Sequence, residues 1–354
     1  MLSRRRVRDV ALALPGFEAA CRRLSAGHVK VLMYHRFGRS SAGGVDEATL
    51  ARQAELIVQG HDVVSVDELI RRVKAGEQPR RSTVAVTVDD GYRDFLEVAF
   101  PVFERYRIPA TVFVATDFVD GQWLWWDRLR YVLLQSPVSR LSVVAGDTAF
   151  EFDLCARSGR IDAWGRIADR CRFLPDEAKW AVLRQVERAA GVQVPESPPP
   201  EFAAVTWSDI QMMAARGMSF APHTASHPIL TRVGLDAVIN EVSRARRALE
   251  DKAGVCSRAF AYPQGGPADF NDQVIEAIKA AGIEGAFIAY QQNASPCNDR
   301  YRIPRYQVTG DMLEFRWKLC GGNYLWRHFR GGFGWPTHEL SEAYWAGDDQ
   351  EVVR

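Results

Sequence analysis

Short β-branched and apolar runs alternate along this chain with stretches whose apolar positions recur every three to four residues. The runs at 29–34, 62–66, 83–88, 110–115, 218–221, 258–262 and 285–289 predict strands, and the stretches at 46–59, 235–253 and 272–281 predict helices. Strand–helix alternation of this kind implies a mainly parallel α/β architecture. Residues 117–202 break the rhythm and read as an insertion. Trp126, Leu129, Arg130 and Leu133 predict a helix at its start, and 141–144 and 150–152 a hairpin turning at Gly146-Asp147. Two further helical stretches follow, the second opened by Pro175-Asp176-Glu177 and closed by Gly191, and 195–200 forms a stiff Pro-rich exit. The insertion's tryptophans suit either core packing or stacking on a sugar ring. After Gly310, Trp317, Trp326, Trp335 and Trp345 follow no single period, and cover, groove lining and partner binding all stay open for this tail. The organisation expected is a basic N-terminal segment 1–28, an α/β unit 29–309 carrying the insertion 117–202, and an aromatic-rich extension 310–354.

Composition narrows the class only a little. With 354 residues, 47% hydrophobic and 25% charged, the chain is of the kind that builds a sizeable core. A formal net charge of +1 and the absence of nucleic-acid motifs argue against nucleic-acid binding. The six cysteines form no Cys-x-x-Cys pair and read as incidental thiols. Arg4, Arg5, Arg6 and Arg8 precede an apolar run that Pro15 ends too soon for a secretory signal, so a cytoplasmic location is expected. A peripheral contact of this basic segment with anionic lipid remains open.

The chemistry concentrates in two short strings. Thr87-Val88-Asp89-Asp90-Gly91 sets two carboxylates at the end of a β-branched run, and His223-Thr224-Ala225-Ser226-His227 spaces two imidazoles to meet on one ion if the stretch turns helically. A carboxylate and two histidines make a three-ligand set with room for water, and the second carboxylate is free to act as a base. Either string alone is weak, since Asp-Asp-Gly is commonly a turn. A third, Arg258-Ala259-Phe260-Ala261-Tyr262-Pro263-Gln264-Gly265, reads as a strand running into a Pro/Gly loop. These strings fall at strand C-termini, where barrel enzymes assemble sites from different loops.

In this order, with Ile108-Pro109-Ala110-Thr111-Val112-Phe113-Val114 between the first two, the strings resemble the polysaccharide deacetylases, the nodulation-type enzymes of carbohydrate esterase family four. The resemblance implies a distorted (β/α) barrel of about seven strands. It implies Asp89 as catalytic base, and Asp90, His223 and His227 as ligands of a divalent metal, Zn²⁺ first, with Co²⁺, Fe²⁺ or Mn²⁺ open. The family's C-terminal Leu-x-x-His-Asp motif is absent, and neither His328 nor His338 has its context. A subgroup similar to the biofilm poly-N-acetylglucosamine deacetylases takes its general acid from an N-terminal Tyr-His, which points to His35 in Met33-Tyr34-His35. The arginine that many members carry before the Pro of the third string is Ala261 here, and Arg305 in Ile303-Pro304-Arg305-Tyr306 is the substitute the subgroup suggests. Substrate contacts are implied for Tyr92, Tyr262 and Pro263, with backbone N–H groups near Gly91-Tyr92 at the oxyanion.

The implied reaction removes N-acetyl groups from an amino sugar in a polysaccharide, oligosaccharide or lipid-linked glycan. A sugar O-acetyl esterase, a deformylase, or a catalytically silent carbohydrate-binding or assembly protein are the alternatives.

Overall fold

The computed structural model describes residues 4–38, 44–77, 79, 81–290 and 299–329. Its strands are β1 (Lys30–Tyr34), β2 (Asp62–Val63), β3 (Thr83–Val88), β4 (Thr111–Val114), β5 (Arg140–Ala145), β6 (Thr148–Asp153), β7 (Ser219–Pro222), β8 (Ala259–Ala261), β9 (Gly285–Ile288), β10 (Ile303–Pro304) and β11 (Tyr306–Gln307). Parallel pairing joins one sheet in the order β11-β1-β3-β4-β7, with β2 against β3, and a second in the order β10-β9-β8. The sequence places every residue of β1 and β3 in the interior, as a parallel sheet covered on both faces requires. On β3, Val84, Val86 and Val88 point to the helix-covered side. Ala85 joins Val31, Phe113, Ala221, Ala261, Phe287 and Ile303 in an inner cluster drawn from both sheets.

The expected barrel is not a closed one. Among the described residues no pairing joins β7 to β8. β7 ends on Pro222, which has no N–H for a ladder, and β8 is only three residues long. On the far side, β10 and β11 are consecutive pieces of one extended segment interrupted at Arg305, so the chain passes from one sheet to the other at that residue. The expected strand at 62–66 stops at Val63, because Ser65 accepts from the Glu68 N–H and starts the helix Val66–Lys74.

In the inserted region, helix Trp125–Gln135, the antiparallel hairpin β5–β6, helix Arg157–Cys171 and helix Asp176–Ala190 enclose their own apolar cluster. Gly191 closes the last helix in the left-handed conformation. Trp123, Trp125 and Trp126 are all buried, so they pack rather than offer an open stacking face. The N-terminal helices Arg4–Ala13 and Phe17–Leu24 pack through Leu12 and Cys21 onto Trp317 and Cys320 of the C-terminal region. The described cysteines Cys21, Cys155, Cys171, Cys256 and Cys320 are free, and Cys297, Trp335 and Trp345 lie outside the described residues. No helix among the described residues is long and apolar enough to cross a membrane.

Candidate metal centre

Asp89 and Asp90 leave β3 in different conformations, and that separates their side chains. The Asp89 N–H still bonds Tyr34 O at 3.0 Å, extending the ladder, whereas Asp90 has φ 73° and Gly91 φ 92°. Gly91 is obligatory here, since a Cβ on it would stand 2.4 Å from Val114 Cγ1. The sharp turn sends the Asp90 carboxylate toward β7. His223 follows β7 directly, with its N–H on Val114 O at 2.9 Å. The helical turn anticipated from the histidine spacing does not form. Thr224 (φ 66°) and His227 (φ 57°) reverse the backbone, and Thr224 Oγ1 accepts from the His227 N–H at 3.0 Å. Glu241, on helix Leu235–Ala253, holds the loop from below, accepting from Ala225 N, Ser226 N and Ser226 Oγ at 3.0, 2.8 and 3.1 Å.

These turns bring Asp90, His223 and His227 together, all buried. Asp90 Oδ1 lies 3.6 Å from His223 Nε2 and 3.5 Å from His227 Nε2, and the two Nε2 atoms are 3.2 Å apart. Ligand bonds of about 2.0–2.1 Å at tetrahedral angles give edges of roughly 3.3–3.4 Å, so the triangle fits one zinc-sized ion. The chemistry fits as well. His223 Nδ1 donates to Ala261 O at 2.7 Å, which leaves Nε2 as a bare lone pair facing a carboxylate oxygen. Burial pushes the His223 imidazole down to about 4, against the pull of Asp89 and Asp90, so it is neutral at pH 7 as a ligand must be. Asp90 is held below the usual carboxylate range: burial opposes ionisation, but the hydrogen bond and charge of His227 outweigh it. These three residues are a group that could hold a metal ion.

Asp89, close enough to His223 for the two charges to be felt, is held in a clamp. Arg305 Nη1 and Nη2 donate to its two oxygens at 2.6 Å each, while Arg305 Nε bonds Ile288 O at 3.2 Å and Nη1 reaches Thr87 Oγ1 at 3.3 Å. Burial alone would raise this carboxyl, but Arg305, followed by His223, brings it down to about 2. His35 Nε2 lies 3.8 Å from Asp89 Oδ2, and its side chain, 30% exposed, is the most open of the group.

The structure thus gathers Asp89, Asp90, His223, His227, His35 and Arg305. Tyr92, Tyr262 and Pro263 are buried as well, and both phenols have partners within the protein. The Tyr92 hydroxyl donates to Asp127 Oδ2 at 2.5 Å and accepts from Trp126 Nε1 at 3.1 Å. The Tyr262 hydroxyl bonds Tyr301 O at 3.0 Å, and its ring stacks on Phe270. The His328 side chain and all of His338 lie outside the described residues. Glu241 and the Trp126-Asp127 pair were not foreseen as site residues. Nothing in the sequence marks the former, and the latter is hidden in a run that reads as helix core.

The polysaccharide deacetylase family model matches residues 76–138 and 177–286. That match includes Asp89, Asp90, His223 and His227 and leaves His35 and Arg305 outside. The chain is 22% identical over 259 residues to the poly-beta-1,6-N-acetyl-D-glucosamine N-deacetylase of Staphylococcus epidermidis, an alignment that covers 73% of this chain and 65% of that relative. Among solved structures it resembles IcaB from Ammonifex degensii (18% identity, 83% of this chain and 97% of that one, TM-score 0.55). It also resembles the deacetylase PplD of Streptococcus pyogenes, solved with acetate (19% identity, 81% and 96%, TM-score 0.54). At these identities the structures speak for the fold alone.

Proposed function

We propose, on the premise that the family match and the fold support a place among the polysaccharide deacetylases, that this chain is a divalent-metal-dependent N-deacetylase of an amino-sugar glycan. The observation that carries the reading is the buried Asp90–His223–His227 triangle beside an ionised, arginine-clamped Asp89. A bound ion supplies Lewis acidity, polarising an acyl carbonyl and making water acidic near neutral pH. Asp90, His223 and His227 hold it. Asp89, kept ionised by Arg305, accepts the proton of the attacking water. His35, at the open side of the site, delivers a proton to the departing amine, which leaves poorly unless protonated. The relative from Staphylococcus epidermidis makes β-1,6-linked N-acetylglucosamine oligomers the first substrates to try.

The test couples metal content to product. Wild-type protein should hold an ion that His223→Ala loses, and should release acetate from such oligomers only when loaded. Loaded, folded protein that releases no acetate from any N-acetylated glycan overturns the reading. Acetate release from O-acetyl sugars alone would assign the site to ester hydrolysis.

A further inference from the structure

We propose that Trp126 and Asp127, carried by the inserted region, are positioning residues of the metal centre, bracing the Asp90-Gly91-Tyr92 turn and the His227 ring at once. The proposal rests on the metal-centre reading above. Three observations point to it.

The first is how the two ligand histidines are held. A metal-bound histidine ordinarily gives its second ring nitrogen to a carbonyl, carboxylate or water that fixes the ring. His223 does so through Ala261 O, but His227 Nδ1 is buried and finds no hydrogen-bond partner among the described residues. What meets the His227 ring instead is Trp126, edge to face, with centroids 4.5 Å apart and planes at 70°. The indole takes over by packing the orienting task that a hydrogen bond performs for His223.

The second is the reach of the same pair toward Asp90. Asp90 sits at positive φ, a conformation that persists only when its surroundings impose it. Two residues on, Tyr92 is fixed at both ends: Arg36 lies 3.9 Å above its ring centroid, and its hydroxyl is shared between Trp126 Nε1 and Asp127 Oδ2. Adjacent residues of one helix thus touch His227 directly and Asp90 through Tyr92.

The third is the cost of Asp127 itself. It is fully buried beside the insertion's apolar cluster, and its Oδ1 has no hydrogen-bond partner among the described residues. A half-satisfied carboxyl is an expensive way to fill a core, so packing alone does not account for it. Besides the nearby charges of Arg36 and Arg130, what holds it is a hydrogen bond from the phenol that leads back to the metal turn.

The test titrates Co²⁺ and Zn²⁺ against a competing chelator with the full chain and follows the cobalt absorption bands, which report ligand geometry. Asp127→Ala and Trp126→Phe (ring kept, N–H lost) should weaken metal binding by about 10–100-fold, the usual effect of removing an outer partner, and should alter the cobalt spectrum. Asp127→Asn, which keeps an acceptor for Tyr92, should recover most of the affinity. Leu133→Ala, a cavity in the same cluster, should lower the melting temperature of the metal-free protein while leaving metal affinity unchanged. Wild-type affinity and spectrum in the Trp126→Phe and Asp127→Ala proteins would overturn the proposal, as would an equal loss in Leu133→Ala. Should Asp127→Ala fail to fold, Trp126→Phe decides alone. Wild-type protein that binds neither ion, or His223→Ala that binds both normally, would instead remove the metal-centre reading and the brace with it.

Discussion

Replacing Arg305 with methionine removes one charge from a buried pair and leaves the other behind. The structure gives the size of the effect. Arg305 is almost fully buried, makes both contacts to Asp89 at 2.6 Å, and is the main influence holding that carboxyl near 2 against its burial. Unit charges about 4 Å apart at an effective dielectric of about 20 interact by roughly 4 kcal/mol, or about 3 pKa units. Asp89 in Arg305→Met should therefore titrate near about 5. In the wild type the depressed carboxyl contributes stability above its ordinary pKa of 3.8, lost only as pH falls toward 2. In the variant the sign reverses. An uncompensated buried carboxylate costs about 3–5 kcal/mol at neutral pH, and that cost fades as the group protonates below about 5. Urea unfolding of metal-free wild type and variant at pH 7 and pH 4.5 measures the difference directly, which should shrink in acid. For the metal-loaded variant, the acidic limb of kcat/KM against pH should rise to about 5. A stability gap that does not change with pH, together with an acidic limb unmoved in folded and loaded variant, would refute the idea that Arg305 sets the ionisation of Asp89.

Two further predictions follow from the same geometry. His35→Ala should slow N-acetyl hydrolysis by about 10²–10⁴-fold while barely affecting an activated aryl acetate, whose phenolate leaves without a proton; equal losses on both substrates would make His35 a binding or structural residue. Glu241→Ala strips the acceptor from the buried Ala225 N–H and the part-buried Ser226 N–H of the histidine loop, so it should lower stability by about 1–3 kcal/mol and metal affinity by about 10–100-fold. Glu241→Gln, which keeps one acceptor, should lose less, and a chelator competition that finds all three proteins alike would show the loop to be self-supporting.

Much of the scaffold was legible because local signals and burial agree. The run 83–88 reads as a strand because both of its faces are covered, and the helix Leu235–Ala253 has an apolar stripe and a closing Gly254. The Asp-Asp pair and the two histidines were legible through their order along the chain. Their local geometry was not: Pro228 directly after His227 disfavours a helix there, and the two imidazoles converge through left-handed turns instead. The partners of Tyr92 and Tyr262 were not legible either, since the residues that take their hydroxyls, Trp126, Asp127 and Tyr301, lie 34 to 39 positions away along the chain. β10 and β11 were beyond reach, since two-residue strands have no period to read.

The breaks in the sheet explain why the chemistry gathers where it does. A continuous barrel satisfies its backbone groups with other strands, leaving side chains little reason to cross between them. Here the ladder lapses between β7 and β8, and His223, leaving β7, bonds the β8 carbonyl of Ala261 across the gap. The ladder changes partner again at Arg305, whose guanidinium bonds the β9 carbonyl of Ile288 and the Asp89 carboxylate beyond β3. One proposed metal ligand and the arginine beside the proposed base thus double as the stitches that hold two sheets together. Substituting either should loosen the seam as well as the site, so activity alone cannot assign their roles. The metal-free stability and pH measurements are needed because they separate the stitch from the chemistry.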